Sequence, residues 1–241
     1  MSLAARGHHA YAARGGGDWN HTNSINYNAK LDQITISVRT FNELWVIAHS
    51  TTPEEAASHE GGERGRGGDL LYRWGNPAAY GRGVRRDMRL YGQHDVQWIE
   101  EGFPGEGNLL IFNNGGRDGR EYSTVDEITT PFNKEAVYTI EKGEAFGPEK
   151  MHWSYGEKES ERFSSSFISG AQRLANGNTL ICSGADGRLF AVDGERRIVG
   201  VAAVEQRPFE ELHAEHGAPT GGAESRGAVT QSQVAIRSHR R

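Results

Sequence analysis

The sequence predicts an all-β fold, and two observations lead to that prediction. Short runs in which apolar and polar residues alternate, such as DQITISV and NELWVIAHS, recur along the chain, and a period of two residues is typical of β-strands. The 32 glycines fall in clusters between these runs, where tight turns between strands are expected. The one helix-like pattern, at 205–216, is weak, so long helices are not expected.

The runs follow one another as strands joined by turns. DQITISVRTFNELWVIAHS predicts a hairpin around a short polar break, and GGDLLYRWG predicts a third strand. VQWIEEGFPGEGNLLIFNNG predicts two strands around a Gly/Pro turn, followed by strands in STVDEI, EAVYTIE and KMHWSYG. The segment from SGAQRL to VGVAA predicts three strands, with NGN, ADG and DGE as turns between them.

These strands form repeats. INYNAKLDQITIS, VQWIEEGFPGEGNLLIF and AQRLANGNTLICS share one order of apolar pair, polar turn and apolar run. Their apolar runs centre on Ile36, Ile111 and Ile181, a spacing of about 70 to 75 residues. Each unit is followed by one or two more strands, and four antiparallel strands per unit is the plan of a β-propeller blade. A β-sandwich with irregular strands is the alternative.

The number of repeats predicts an incomplete propeller. A propeller needs at least about four blades, whereas the chain supplies about three, and no aromatic outer strand follows RRIVGVAA in the third. We therefore expect a part of a longer propeller, with open blade edges through which chains could associate. The expected organisation is an irregular lead over 1–17, propeller blades over 18–204 and an irregular or disordered tail over 205–241.

Composition excludes several classes of function. The formal net charge of −5 gives no general attraction to nucleic acid, and no run of about 18 apolar residues predicts a membrane span. The single cysteine, Cys182, cannot form an internal disulfide, and we expect it to be a small buried hydrophobe. The lead over 1–17 has no apolar core of a signal peptide, so the sequence assigns no location.

Polar residues cluster where each repeat enters its first strand. His21 and Asn23 lie in GDWNHTNSINYN, and His94 lies in YGQHDVQW. Arg39 ends the strand DQITISVR, and Ser169 matches His94 in the third repeat to within about one residue. Because the loops that enter the innermost strands of a propeller open onto its central channel, we expect these side chains to converge on one cavity.

This set of side chains suits an oxyanion. A guanidinium presents a planar fork to phosphate or sulfate, and Asn and Ser donate hydrogen bonds to developing negative charge. A neutral histidine can act as a nucleophile or as a general acid–base near pH 7. The sequence contains no Cys/His metal-binding motif and no nucleotide-binding loop, so neither a metal site nor a cofactor is expected.

Each of these residues also has a structural interpretation. His94 could be a hydrogen-bonding residue of the framework, His21 could cap a turn, and Arg39 could be a solvated strand end. The tryptophans that recur in the strands are expected to pack in the core between blades; they are Trp45, Trp74, Trp98 and Trp153.

Two of the polar stretches resemble a known family. DWNHTNS with an Arg after the following strand, and QHD followed by PGEGN, are similar to motifs of the arylsulfotransferases, over roughly residues 18–195. The resemblance implies a six-bladed β-propeller that moves a sulfuryl group from a phenolic sulfate ester to a phenol, without a nucleotide sulfate donor. It also implies a ping-pong reaction through a sulfated histidine. Members of the family are commonly exported.

The resemblance implies a role for each candidate residue. It places the nucleophile at His94, and it assigns sulfate binding and proton transfer to His21, Asn23 and Arg39. A hydroxyl residue from a later blade is also implied, for which Ser169 is the first candidate and Ser166 the second. The implied partners are therefore a small aryl sulfate and a phenol. The alternative is a non-catalytic or degenerate β-propeller fragment that acts as a binding module or has no activity.

Overall fold

The all-β fold predicted from the sequence is confirmed. The computed structural model describes residues 18–116, 120–133 and 137–203. Within these ranges the chain forms three four-stranded antiparallel sheets, one short helix, α1 (Pro53–Ala56), and a few 3-10 turns. No helix in these ranges has the length and apolar character needed to cross a membrane.

Each sheet contains four strands that are consecutive in sequence and adjacent in space. The first sheet consists of β1 (Thr22–Asn28), β2 (Gln33–Val38), β3 (Glu43–Ala48) and β4 (Tyr72–Trp74). The second consists of β5 (His94–Trp98), β6 (Leu109–Asn113), β7 (Thr124–Ile128) and β8 (Trp153–Tyr155). The third consists of β9 (Gly170–Arg173), β10 (Thr179–Ser183), β11 (Arg188–Val192) and β12 (Ile198–Ala203). Three such sheets in a row are consistent with a β-propeller-like fold.

The repeat found in the sequence falls at one position of the three sheets. Ile36, Ile111 and Ile181 each lie on the second strand, two residues before its end. They pair with the first strand of their sheet in β2 and β10, and β6 is irregular at this point because β5 carries a bulge. The spacing of the apolar runs therefore reported the spacing of the sheets.

Two details of the strand prediction were wrong. The third sheet is complete, because β12 pairs with β11 and supplies the outer strand without an aromatic residue. Backbone hydrogen bonds are sufficient to add this strand to the sheet, so an aromatic residue is not required in the outer strand. In EAVYTIE, the described residues form only an isolated bridge between Tyr138 and Phe132. The Tyr138 ring instead stacks on Tyr72 in the core, with 4.8 Å between ring centroids.

Three other expectations lie outside the described residues. They are the irregular lead at 1–17, the helix-like pattern at 205–216 and the tail at 205–241.

The second sheet lies between the other two and is covered on both faces. Leu109 and Ile111 of β6 pack into a core shared with the first sheet, and Leu110 and Phe112 pack into a core shared with the third. All five residues of β6 are buried, which explains the unbroken apolar run LLIF where a one-sided strand would alternate.

The single-residue core predictions were confirmed in part. Trp74 and Trp98 lie in the buried core, whereas Trp45 and Trp153 are partly exposed. Cys182 is also only partly buried, so it differs from the buried hydrophobe that was expected.

The first strands of neighbouring sheets, β1, β5 and β9, are linked by similar hydrogen bonds. The Ser24 hydroxyl accepts from the Val96 N–H at 2.9 Å, and the Asp95 carboxylate accepts from the Ala171 N–H at 2.9 Å. Ser24 and Asp95 occupy equivalent positions in the first and second sheets, so in both cases a side chain of one sheet accepts from the backbone of the next. These hydrogen bonds fix the start of the first strand of each sheet relative to that of its neighbour.

Candidate functional site

Asn23, His94 and Ser169 occupy equivalent positions in the three sheets. In each sheet, the residue three positions further along the chain pairs with the second strand, three residues before that strand ends. These paired residues are Asn26, Gln97 and Gln172. The prediction that Ser169 matches His94 is therefore right about position. The three side chains stand where their sheets begin, at the same end of the three inner strands.

Residues with left-handed backbone lie at the start of each sheet. His21 has φ 44°, Asp95 has φ 51°, and the consecutive residues Ile168 and Ser169 have φ 48° and 88°. Residues other than glycine seldom adopt such angles, and where they do the surrounding contacts hold them there. The starts of the sheets are thus tightly specified turns.

The imidazole of His94 is held by Asn114. His94 Nδ1 lies 2.8 Å from Asn114 Oδ1 and 3.2 Å from the Gly92 carbonyl oxygen. Asn114 Nδ2 donates to the carbonyls of Ser165 and Ile168, at 2.7 and 2.8 Å, which fixes the orientation of the amide. Since Nδ1 faces two acceptors, the hydrogen-bond network assigns it the proton, and Nε2 of the neutral ring keeps its lone pair.

The backbone of His94 is held by the first sheet. The carbonyl oxygen of Gln93 accepts from Asn23 Nδ2 at 2.8 Å and from the Ser37 hydroxyl at 3.4 Å. One N–H of the Asn23 amide remains for a ligand, and Asn23 Oδ1 is buried without a hydrogen-bond partner among the described residues. His94 therefore lies between the sheets: the peptide bond before it is held by the first sheet, and its ring is held, through Asn114, by a loop of the third.

Arg39 brings a positive charge to the site. It follows β2, and its N–H donates to the carbonyl of His21 at 3.3 Å. Its guanidinium lies over Gly92, where a Cβ would be 3.7 Å from Nη2. Within the described ranges, no carboxylate forms a salt bridge with this guanidinium. An arginine without a carboxylate partner beside a half-buried histidine favours an anionic ligand.

The surroundings keep His94 neutral. Burial lowers the pKa of the His94 imidazole, and the charges of Arg39 and His21 lower it further. The hydrogen bonds from Nδ1 to Asn114 and Gly92 act in the opposite direction but do not outweigh burial. A pKa below the usual value leaves the ring unprotonated at neutral pH, as a nucleophile requires.

His21 is exposed and paired with a carboxylate. Its Nδ1 contacts the Asp18 carboxylate, which favours a proton on Nδ1 and leaves Nε2 to exchange a proton with a ligand. Asp18, Trp19 and His21 line an open hollow of about 530 Å³, whose lining does not include Asn23, Arg39 or His94. The charge of His21 acts on the His94 imidazole, so His21 lies within electrostatic range of that ring.

The hydroxyl of Ser169 forms its hydrogen bonds within the third sheet and its loops. It lies 2.7 Å from the Ser165 hydroxyl, and it accepts from the Gly184 N–H at 2.9 Å. No hydrogen bond joins it to His94 among the residues described. Ser166 is exposed on the same loop. The role of either serine at the site remains a prediction.

The sequence analysis missed Asn114, although a signal was present. Arg39 follows the last residue of β2, and Asn114 follows the last residue of β6. In both hairpins, β2–β3 and β6–β7, that last residue is paired with the first residue of the next strand. The two residues are therefore equivalent in the first and second sheets. Alignment of the repeats through Arg39 would have identified Asn114.

No group of three or more His, Cys, Asp or Glu side chains that could hold a metal ion occurs in the described part of the chain. The side chains at the site are donors and cations, which suit an anion.

Fold and site together define a β-sheet protein with a neutral histidine near an arginine that forms no salt bridge with a carboxylate of the described ranges. A family model described as "Arylsulfotransferase (ASST)" matches residues 85–220, more than half of the chain, and this range includes His94 and Asn114. The chain belongs to the arylsulfotransferase family.

A curated relative and a solved structure are also similar. Arylsulfate sulfotransferase AssT of Escherichia coli is 29% identical over 188 residues, which cover 73% of this chain and 29% of that protein. The chain therefore spans less than a third of the length of this relative. A protein of unknown function from Bacteroides caccae matches with a TM-score of 0.39 and 13% identity, over 76% of this chain and 45% of that one.

Proposed function

We propose that this chain carries the histidine nucleophile of a sulfotransferase that moves a sulfuryl group from a phenolic sulfate ester to a phenol. The proposed reaction is ping-pong, through a sulfohistidine at His94. One observation carries the proposal: Asn114 takes the Nδ1 proton of His94, which leaves the Nε2 lone pair free, and the Arg39 guanidinium lies over Gly92, two residues before His94. Family membership supports it.

The first half of the reaction transfers the sulfuryl group to the protein. The lone pair of His94 Nε2 attacks sulfur, the N–S bond forms, and the S–O bond to the leaving phenolate breaks. Arg39 and the remaining N–H of Asn23 balance negative charge on the sulfuryl oxygens. His21, when protonated, gives its Nε2 proton to the departing phenolate oxygen.

The second half returns His94 to its starting state. The acceptor phenol gives its proton to neutral His21 Nε2, and its oxygen attacks sulfur as the N–S bond breaks. The electron pair returns to His94 Nε2. No nucleotide sulfate donor and no metal ion takes part in this scheme, and a hydroxyl from Ser169 or Ser166 would add one more hydrogen bond to the sulfuryl group.

The finer architecture belongs to the same proposal. We infer that residues 18–204 form three blades of a six-bladed β-propeller and that the site faces its central channel. The three four-stranded sheets and the equivalent positions of Asn23, His94 and Ser169 support this arrangement.

Steady-state kinetics test the proposal. With 4-nitrophenyl sulfate and a phenol acceptor, phenolate release should give the parallel double-reciprocal lines of a ping-pong reaction. His94→Asn should abolish release, whereas His59→Asn, a change at an exposed histidine, should leave it unchanged. An equal rate in the wild type and His94→Asn would refute the assigned nucleophile. Binding of an aryl sulfate without release would favour the alternative of a non-catalytic binding module.

A further inference from the structure

Asn114 is the contact between the candidate nucleophile and the third sheet. Its side chain is fully buried, and all three of its hydrogen bonds go to protein atoms. The amide oxygen takes the Nδ1 proton of His94, and the amide nitrogen donates to the carbonyls of Ser165 and Ile168. An amide is required here, because only Asn or Gln offers one acceptor and two donors from one planar group.

The tautomer of His94 needs this contact. A neutral imidazole in water favours the proton on Nε2, and a ring in that form has no lone pair at Nε2 with which to attack. The Gly92 carbonyl also accepts from Nδ1, but its distance of 3.2 Å makes it the weaker of the two acceptors. The shorter bond to Asn114 therefore decides where the proton lies.

We propose that Asn114 is a positioning residue that keeps the proton of His94 on Nδ1 and ties the imidazole to the loop 165–169 of the third sheet. Nε2 then faces the ligand with its lone pair free, in an orientation set by a loop of the next sheet. This inference rests on the proposed function only for its catalytic consequence, since the tautomer itself is a property of the free protein.

Nuclear magnetic resonance of the full chain labelled with 15N-histidine tests the tautomer without any substrate. Loss of one set of signals in His94→Asn assigns His94. In the wild type at neutral pH we expect Nδ1 to carry the proton and Nε2 to show the shift of an unprotonated ring nitrogen. A wild-type His94 with its proton on Nε2 would overturn the proposal, whether or not the protein transfers sulfuryl groups.

Two substitutions separate the two contacts of the amide. Asn114→Ala removes both, so we expect the Nε2–H form of His94 to increase and the turnover number to fall by about 10-fold or more. Asn114→Asp keeps an acceptor for Nδ1 but loses the donors to the loop. It should keep the proton on Nδ1 and move the acid limb of the pH–rate profile to higher pH, because a carboxylate favours the imidazolium.

Asn113→Ala is the matched control. Asn113 is the neighbouring residue and equally buried, but its amide contacts the Tyr91 N–H, the Arg89 carbonyl and the Asp126 carboxylate. It should destabilise the fold without a change in the His94 tautomer or in the acid limb. Equal increases of the Nε2–H form of His94 in Asn113→Ala and Asn114→Ala would reduce Asn114 to a general structural residue.

The same data separate this inference from the proposed function. A wild-type His94 with the proton on Nδ1 but no sulfuryl transfer would refute the function and leave the positioning role intact. Sulfuryl transfer that is unaffected in Asn114→Ala would support the function and refute the role of Asn114.

Discussion

At the scale of single residues, the site combines a histidine that is kept neutral with an arginine that no carboxylate in the described part of the chain pairs with. Burial lowers the pKa of His94, and the nearby Arg39 and His21 add to the effect. Arg39 is partly exposed, so a ligand can reach its guanidinium. A neutral imidazole and a nearby cation are the two groups that the proposed capture of a negatively charged ester needs.

The lowered pKa of His94 makes a prediction for pH dependence. A folded-state pKa below about 6.5 means that the neutral ring persists as the pH falls through the usual range for histidine. Capture of the sulfuryl group should therefore hold its rate at pH 6.5 and decline only at lower pH. Single-turnover release of phenolate between about pH 5 and 8 measures this, and an acid limb above about pH 6.5 would contradict the environment described for His94.

Substitution of Arg39 should have two separable effects. Arg39→Met removes a charge that lowers the His94 pKa, so that pKa should rise, and sulfuryl transfer should fall by about 10²- to 10³-fold. Arg39→Lys keeps the charge but loses the planar fork, so the His94 pKa should change little while the rate still falls.

A 15N-histidine titration gives the pKa in each variant, and phenolate release gives the rate. Arg86→Met, at a side chain that is 88% exposed, is the control that should alter neither. A rate for Arg39→Lys equal to that of the wild type would show that charge alone is needed.

At the scale of strands and loops, the site is assembled from the ends of hairpins. Arg39 and Asn114 follow equivalent strands of the first and second sheets, and both reach His94. The sequence predicted Arg39, because an arginine after an alternating strand stands out, but it did not predict Asn114 in the run NNGG, which is also typical of a turn. The function of Asn114 is visible only in the hydrogen bonds between sheets.

A buried ion pair joins the second and third sheets. Arg173 Nη2 donates to the Glu127 carboxylate at 2.6 Å, and the two side chains are 10% and 2% exposed. Arg173→Met would leave the Glu127 carboxylate buried without this partner, so the free energy of unfolding should fall by about 3–5 kcal/mol. Denaturant unfolding followed by tryptophan fluorescence measures the change.

A surface ion pair provides the control for this buried pair. Arg197 is bonded to Asp193 at 2.8 Å, but its side chain is 69% exposed, so Arg197→Met should leave the free energy of unfolding nearly unchanged. Equal losses for Arg173→Met and Arg197→Met would show that the pair between the sheets is no better protected from water than the surface pair.

At the scale of the whole molecule, the repeat made the architecture predictable. Apolar runs at Ile36, Ile111 and Ile181 gave the number and spacing of the sheets because each run is the second strand of one sheet. The role of β12 as the outer strand of the third sheet was missed, because its sequence, IVGVAA, has no aromatic residue and three of its side chains are exposed. The partners of Ser169 could not be predicted either, because they depend on two consecutive residues with left-handed backbone.

The convergence of the site also belongs to this scale. His94 takes its backbone contacts from the first sheet and its ring contact from a residue bonded to the third. Neither contact could form in one isolated repeat. The chemistry assigned to His94 therefore requires the three sheets together.

The most direct test of the central claim is mass spectrometry of the protein after incubation with an aryl sulfate and no acceptor. The account predicts a gain of one SO₃ group, located on the peptide that contains His94, stable in mild alkali and lost when a phenol is added. The same treatment of His94→Asn should give no gain, and His59→Asn should behave as the wild type. An SO₃ group on any other residue, or turnover of the ester with no labelled intermediate, would contradict the account.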